Sequence, residues 1–415
     1  MTQNFTFFRM LLSAFAITLA FSTFGQTKVY VANQLTNDIT IIDADNNTVV
    51  GTLAPFNMPS NLAFTPDGAK GVITFAGSGS ASIIDPTDPF NFTNLTCGAG
   101  ASDVVISPDG QKAYIGNASA GTISVLDLTN NAVLSTWMGG GNGVALSPDG
   151  STLYSTNKIT GTVTSFNTAT GTSSSFATGI TNAERLAVSH DGKLICIVQN
   201  LSTQVSLLNT SDGSIEAIIP VGVFPTSVSF TADSKRALVT NTAGNSVSVI
   251  DIENTVVETS IPVTGSPIDI AVVPSANKAF TANNGAGTST AIDLGTMAVQ
   301  QNITCGTFPI AVSFAGEGFT GVKNQLITSK WNITRPSPNP VSTHTSFNAT
   351  LEESMDLQIR IYNNSGRLIE ELFSGRVSAG THQFDWNPTA DLTPGFYNIL
   401  LKSTDQFAVL QVLKQ

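Results

Sequence analysis

The 415-residue chain carries 29 acidic against 18 basic residues, a formal net charge of −11, and only 11% of its residues are charged. No basic stripe stands ready to neutralise phosphates, which argues against nucleic acid and against an anionic membrane surface as partners. Three cysteines, Cys97, Cys196 and Cys305, lack any CxxC or CxxCH spacing, which excludes a c-type haem and a thiolate zinc site.

At the start of the chain, Arg9 precedes the apolar run 10–21, too short to cross a membrane and of the length of a secretory leader. Thr23 and Gly25 place small residues for cleavage after Gly25, so residues 1–25 are expected to be a signal peptide. No later stretch has the length of a transmembrane segment, and a secreted or outer-surface location follows as the expectation.

From residue 26 to about 330 one unit recurs with a period near 42 residues. The last strand residue before a tight turn falls at Thr65, Ser107, Ser147, Ser189, Thr231, Val273 and Ala315. Each unit reads as four short Val/Ile/Thr/Phe-rich runs bounded by Pro, Asp, Gly, Asn and Ser. The turns Thr65-Pro-Asp-Gly68, Ser107-Pro-Asp-Gly110 and Ser147-Pro-Asp-Gly150 combine a preset φ, a self-bonding Asp and a positive-φ Gly. They weaken to Ser189-His-Asp-Gly192, where His190 reads as a turn variant. A strand-only repeat of this period predicts a β-propeller. Two residues before each turn stand Ala63, Val105, Ala145, Ala187, Ser229, Ala271 and Ser313, which crowd around one axis. The next position, Phe64, Ile106, Leu146, Val188, Phe230, Val272 and Phe314, is apolar throughout and packs between blades.

The first unit begins inside a blade. Residues 28–33, 38–43 and 48–53 supply three strands, and the missing innermost one is expected at residues 310–314, closing a seven-bladed ring. The stretch 318–324 reads as a further strand with no partner. Cys97 and Cys305 hold equivalent repeat positions in different blades, so they are expected apart, and all three thiols buried or half-buried.

The segments Lys28-Val-Tyr-Val-Ala-Asn33, Lys112-Ala-Tyr-Ile-Gly-Asn117 and Arg236-Ala-Leu-Val-Thr-Asn241, each followed by a strand like Ser246-Val-Ser-Val-Ile-Asp251, resemble the YVTN family of β-propeller repeats over about residues 27–324. The wider superfamily includes surface-layer proteins, lactonases and haem-carrying electron-transfer subunits. The resemblance therefore implies an architecture rather than a reaction.

Residues 331–340, with Arg335-Pro-Ser-Pro-Asn-Pro340, read as a stiff linker, and the period is lost beyond them. Strands at 357–362, 368–373, 382–386, 395–401 and 407–413 predict a small Ig-like β-sandwich over 341–415. Pro338-Asn-Pro340, Ile361-Tyr-Asn-Asn-Ser-Gly-Arg-Leu-Ile369, Leu392-Thr-Pro-Gly-Phe-Tyr397 and the terminal Val412-Leu-Lys-Gln415 resemble the C-terminal sorting domain of type IX secretion in Bacteroidetes. That resemblance implies the type IX secretion machinery as a partner.

Asparagines at 33, 117, 157, 200, 241 and 283 recur in phase and read as turn caps. The repeat-breaking residues carry more information. The first inner-strand positions hold Asn61, Asp103, Gly143, Arg185, Ser227, Asp269 and Ala311, with Glu184 beside Arg185. Asn61, Asp103, Glu184, Arg185 and Asp269 are thus expected at the channel mouth, either as a binding site or as an ion-pair network. Phe224 and Phe308 precede Pro at equivalent places, and with Phe56, Met58 and Met138 they offer an apolar patch. No catalytic set, cofactor motif or metal site can be assigned. The expectation is a binding protein for a protein or carbohydrate ligand. The alternatives are a lactonase-like or metal-dependent hydrolase at the mouth and a structural envelope protein.

Overall fold

The computed structural model describes residues 27–315 and 331–414, apart from 335, 339–340, 364–367, 390–391, 393–394 and 404–406. The expected leader at 1–25 and the strand-like stretch 318–324 lie outside the described residues. Seven four-stranded antiparallel sheets occupy residues 28–315. Blade one joins Pro309–Ala315 to Lys28–Asn33, Asp38–Asp43 and Thr48–Leu53, so its innermost strand comes from the far end of the repeat region. The other six blades are continuous in sequence, with innermost strands Asn61–Phe64, Ala101–Ile106, Val144–Leu146, Ala183–Val188, Pro225–Phe230 and Pro267–Val273. Each innermost strand neighbours the next, and the last neighbours the first. The ring is closed.

Its core is seven wedges, one in each gap between blades. Phe64 belongs to the wedge of blades one and two, where its ring lies 4.1 Å from that of Tyr30. Ile106, Leu146, Val188, Phe230, Val272 and Phe314 each enter a different one of the other six. Every wedge draws side chains from two blades, so no blade buries its apolar faces alone.

The turns explain why the sequence repeats. Thr65 Oγ1 donates to Asp67 Oδ1 at 2.6 Å, and the hydroxyl accepts the Lys70 N–H at 2.9 Å. Ser107 with Asp109, Ser147 with Asp149, Ser189 with Asp191 and Thr231 with Asp233 repeat the first of these bonds. His190 sits exposed in its turn. The in-phase asparagines do more than cap turns. Asn117 Nδ2 donates to Thr122 and Ser124 on the next strand, and Asn33, Asn241 and Asn283 repeat the pattern while fully buried. In blade five the residue in phase is Gln199, which bonds Gln204 and Ser206, rather than the neighbouring Asn200.

Two lysines tie adjacent blades. Buried Lys278 of blade seven gives its ammonium to Ala44 O, Asp45 O and Asn47 Oδ1 of blade one at 2.8–2.9 Å. Lys70 of blade two likewise reaches Leu128 O and Asn131 Oδ1 of blade three.

Residues 331–414 form two further sheets around Trp386, Phe347, Ile359 and Ile399. Leu368–Val377, Met355–Asn363, Gly395–Lys402 and Phe407–Lys414 make one, as the sequence pattern anticipates. The other pairs Thr345–Leu351 with Gly380–Trp386 and with Trp331–Ile333, a strand inside the stretch read as a linker. Among the described residues no helix is long and apolar enough to cross a membrane.

Replacing Lys278 with Met removes a cation from three buried acceptors at the seam. Chemical denaturation should show a loss of about 2–4 kcal/mol. An unchanged unfolding midpoint would show that the seam does not depend on this clasp.

Candidate functional site

Antiparallel pairing puts the connections of every blade on two opposite faces. Loops leading into inner strands share a face with the turns after second strands, and they bond each other. The Ala118 N–H donates to Gly100 O, Thr242 N–H to Phe224 O and Asn284 N–H to Ser266 O. The first residues of the inner strands open on this face, which is therefore the channel mouth.

The mouth residues form a belt. Asn61 Nδ2 donates to Asp103 Oδ1 at 2.6 Å, and Asp103 Oδ2 accepts the Val144 N–H at 2.9 Å, so Asp103 links blades two, three and four. Arg185 Nη1 donates to Asp269 Oδ1 at 2.6 Å, spanning blades five and seven. Ser227 Oγ of blade six also donates to Asp269 Oδ1 at 2.6 Å, and Asp269 Oδ2 accepts the Val312 N–H of blade one at 2.9 Å. Glu184 pairs with Lys158, while its backbone carbonyl accepts Thr156 Oγ1 of blade four at 2.7 Å. At Gly143 a Cβ would lie 2.6 Å from Glu184 O, so only glycine lets blades four and five approach this closely.

All five polar residues expected at the mouth are thus together, with Asn61 bonded to Asp103 and Arg185 to Asp269, and their remaining bonds go to neighbouring strands and to Lys158. Burial pushes the Asp103 carboxyl above the ordinary carboxylate range, opposed by the charge of Arg185 and the Val144 N–H. Asp269 and Arg185 neutralise each other, whereas Asp103 accepts from two neutral donors.

Of the apolar candidates, Phe56 is core, 3% exposed in the wedge of blades one and two. Phe224 is half-buried, and Met58, Met138 and Phe308 are exposed. Sequence reasoning missed Leu35, Ile159, Leu201 and Val223, all exposed on the mouth face. For Leu35, Ile159 and Leu201 the signal was a lone apolar residue inside an otherwise polar turn, and Val223 lies in the apolar loop Val221-Gly-Val-Phe224. Among the described residues, the loops of the mouth face hold one charged residue, Lys158, with Asp38 at the strand end that closes the blade-one turn. The opposite face carries carboxylates in its turns, among them Asp67, Asp109, Asp149, Asp212 and Asp293. Turn hydroxyls and N–H groups hold Asp149, Asp212 and Asp293 below the ordinary carboxylate range.

Cys196 is buried and Cys97 and Cys305 half-buried, all three as free thiols. Burial pushes the Cys97 thiol up to about 11 and those of Cys196 and Cys305 up to about 12. None is an activated nucleophile.

Residues 341–406 match the family of FlgD Ig-like domains. Solved structures similar to the chain include a putative 6-phosphogluconolactonase from Bacteroides uniformis (18% identity, TM-score 0.59, covering 70% of this chain and 99% of that one). The periplasmic gluconolactonase PpgL of Pseudomonas aeruginosa is similar to the same degree (17%, 0.59, 70% and 99%). Hydrazine synthase of Kuenenia stuttgartiensis also matches (20%, 0.57, 64% and 92%). At these identities the likeness is one of fold, the β-propeller. None of the curated proteins compared matches the sequence.

The Asp103 carboxyl gives a pH dependence of known sign. Its folded pKa lies above the unfolded value near 3.9, so the folded state holds the proton more readily. That contribution to stability is complete below the unfolded value and is lost as pH rises through the raised folded one. Asp103→Asn should therefore become less destabilising between pH 4 and pH 7, measured by urea denaturation. A difference that is flat with pH would contradict the raised carboxyl. Arg185→Met should instead cost about 2–4 kcal/mol at neutral pH, by leaving buried Asp269 without its cation.

Proposed function

We propose that this chain is a secreted or cell-surface binding protein that engages a protein or carbohydrate ligand on its mouth face. The asymmetry of the two faces carries this reading. One face is almost free of loop charges and exposes Leu35, Met58, Ile159, Leu201 and Phe308, while the other holds the carboxylates. Charge depletion with exposed aromatic and Met side chains is the composition of an interface core. Folding does not require it, since Gly, Ser, Ala and Asn fill most of the equivalent positions in other blades.

The expected leader and the resemblance of the C-terminal domain to a sorting module support export by type IX secretion. Deleting residues 337–415 should then abolish surface delivery and leave the chain in the periplasm. Normal delivery of the shortened chain would defeat the export reading.

Hydrolysis at the mouth is the second reading, favoured by the raised Asp103 carboxyl near Arg185 and by the lactonase names among the similar structures. Against it, both oxygens of Asp103 and of Asp269 already accept bonds from the chain. No group of three His, Cys, Asp or Glu among the described residues could hold a metal ion. A lactonase would open gluconolactone or 6-phosphogluconolactone and lose that activity in Asp103→Asn.

The deciding measurement is capture of secreted proteins and arrayed glycans by the immobilised full chain. Ile159→Asp and Leu201→Asp on the mouth face should weaken the captured ligand at least ten-fold. Asp109→Lys and Asp212→Lys on the opposite face should not. Equal loss from both pairs, or from neither, would reject the mouth face as the binding surface. Self-association untouched by either pair would favour the structural envelope role.

A further inference from the structure

We infer that the mouth receives a basic side chain of a partner protein, its cation at Asp103 and its apolar neighbours on an arc formed by Phe308, Leu35 and Met58; this rests on the binding reading above.

The arc is built from one repeat position. Three residues before the first mouth residue, blades one to seven place Phe308, Met58, Gly100, Gly140, Asn182, Phe224 and Ser266. The backbone there is left-handed in blades one, two, three, five, six and seven, with φ of 64° at Phe308, 52° at Met58, 76° at Gly100, 56° at Asn182, 61° at Phe224 and 57° at Ser266. Gly and Asn suit that conformation, and a bulky apolar residue does not. Blades one, two and six nevertheless carry Phe, Met and Phe there, half-buried at Phe224 and exposed to solvent at Phe308 and Met58. Strain at an exposed apolar side chain serves neither the turn nor the core, which points to a contact outside the fold.

The arc is also continuous and leads to the carboxylate. Gln34 N–H donates to Phe308 O at 2.9 Å and Leu35 N–H to Thr307 O at 3.2 Å. Met58 N–H donates to Asn37 Oδ1 at 2.8 Å in the same turn of blade one. Three residues after Met58 comes Asn61, whose amide holds Asp103.

Charge selects the occupant. Around the inner strands of the mouth, Asp103, Glu184 and Asp269 face Lys158 and Arg185, three carboxylates against two cations, and Asp38 at the outer turn of blade one adds a fourth carboxylate. Both cations are committed, Lys158 to Glu184 and Arg185 to Asp269. Asp103 hydrogen-bonds only the neutral donors Asn61 and Val144, and it shares the charge of Arg185 with Asp269, which holds the guanidinium directly. A half-buried carboxylate with no cation bonded directly to it gains from an incoming one more than an exposed carboxylate does. A second copy of this face would bring a second Asp103 and no free cation, and a neutral glycan brings none. A protein loop with Lys or Arg beside apolar residues supplies both elements.

The test compares 4-phenylbutylammonium, 4-phenylbutanol and 4-phenylbutyrate as probes of the full chain, by saturation-transfer NMR and titration at low salt. The ammonium should bind at least ten-fold tighter than the alcohol, the carboxylate should not bind, and added salt should erode the advantage. Asp103→Asn should bring the ammonium down to the alcohol. Phe308→Ser and Met58→Ser, which copy the residue of blade seven, should weaken both ligands. The ranking on the unaltered chain decides the matter even if Asp103→Asn fails to fold. Equal binding of ammonium and alcohol, or preference for the carboxylate, overturns the inference. Absence of all three while mouth-face variants still lose the captured ligand overturns it too and leaves the binding reading standing. Absence of both effects removes the two together.

Discussion

Everything in the propeller depends on one strand pairing, that of Pro309–Ala315 with Lys28–Asn33. It brings together segments some 280 residues apart, and closing a loop of that length costs on the order of 5 kcal/mol of chain entropy. The return is two apolar wedges, those of blades one and two and of blades seven and one, which would otherwise face water. The seam is also where polar fastening concentrates. Lys278 crosses it to three acceptors, Thr27 Oγ1 meets Ser275 Oγ at 2.8 Å, and Asp269 takes the Val312 N–H. A blade assembled from both ends of the repeat region has no free inner edge for another chain to pair with.

Closure also divides the molecule's chemistry. With every inner strand running the same way, each repeat contributes the same two loops to the mouth and the same two turns to the other face. A residue type favoured at one repeat position is therefore multiplied around one face only. Asp in the Ser/Thr-x-Asp turn satisfies its own backbone in five blades at little cost, and the opposite face becomes acidic as a by-product of turn chemistry. The mouth loops follow a different rule. Their glycines pack against the buried asparagines, as Gly98 does on Asn117 and Gly222 on Asn241, so small uncharged residues dominate there for reasons of space. Apolar residues that stand out of such loops are departures from that rule rather than consequences of it.

Much of this was legible in the sequence because one period governs it. The register of Thr65, Ser107 and their counterparts located every inner strand, the missing strand of blade one, and the seven residues that fill the wedges. The mouth constellation was legible for the same reason, since Asp103, Arg185 and Asp269 occupy one repeat position. What the repeat could not supply was pairing across blades: that Arg185 passes blade six to reach Asp269, or that Gln199 takes the asparagine's place in blade five. Leu35, Ile159 and Leu201 were hidden because a single apolar residue in a turn is ordinary in sequence and becomes a surface only when closure gathers the turns. Phe56 misled in the opposite direction, since an apolar residue in a Pro-rich loop is as easily core as surface. In the C-terminal domain, Thr345–Leu351 and Trp331–Ile333 lacked a turn-bounded apolar run, and their pairing comes from the sheet they complete.

Asp103 and Asp269 carry out the same structural task with different electrostatics. Each bridges consecutive inner strands through both carboxylate oxygens, and a neutral Asn or Ser could supply at least part of either bridge. Asp269 is matched by Arg185, so its charge is balanced inside the fold. Asp103 is bonded only by the neutral donors Asn61 and Val144 and shares the charge of Arg185 with Asp269, and burial works against its ionised form. If the belt existed for stability alone, this position would be the weakest choice in it, because the charge adds desolvation cost with only the shared charge of Arg185 to offset it. The imbalance makes sense where the missing cation arrives from outside, and the neighbouring strained Phe308 and Met58 are the same kind of departure. The electrostatic cost at Asp103 and the conformational cost at the exposed Phe308 and Met58 therefore fall on adjoining blades, whereas the same backbone cost at Phe224 of blade six is met by a half-buried side chain.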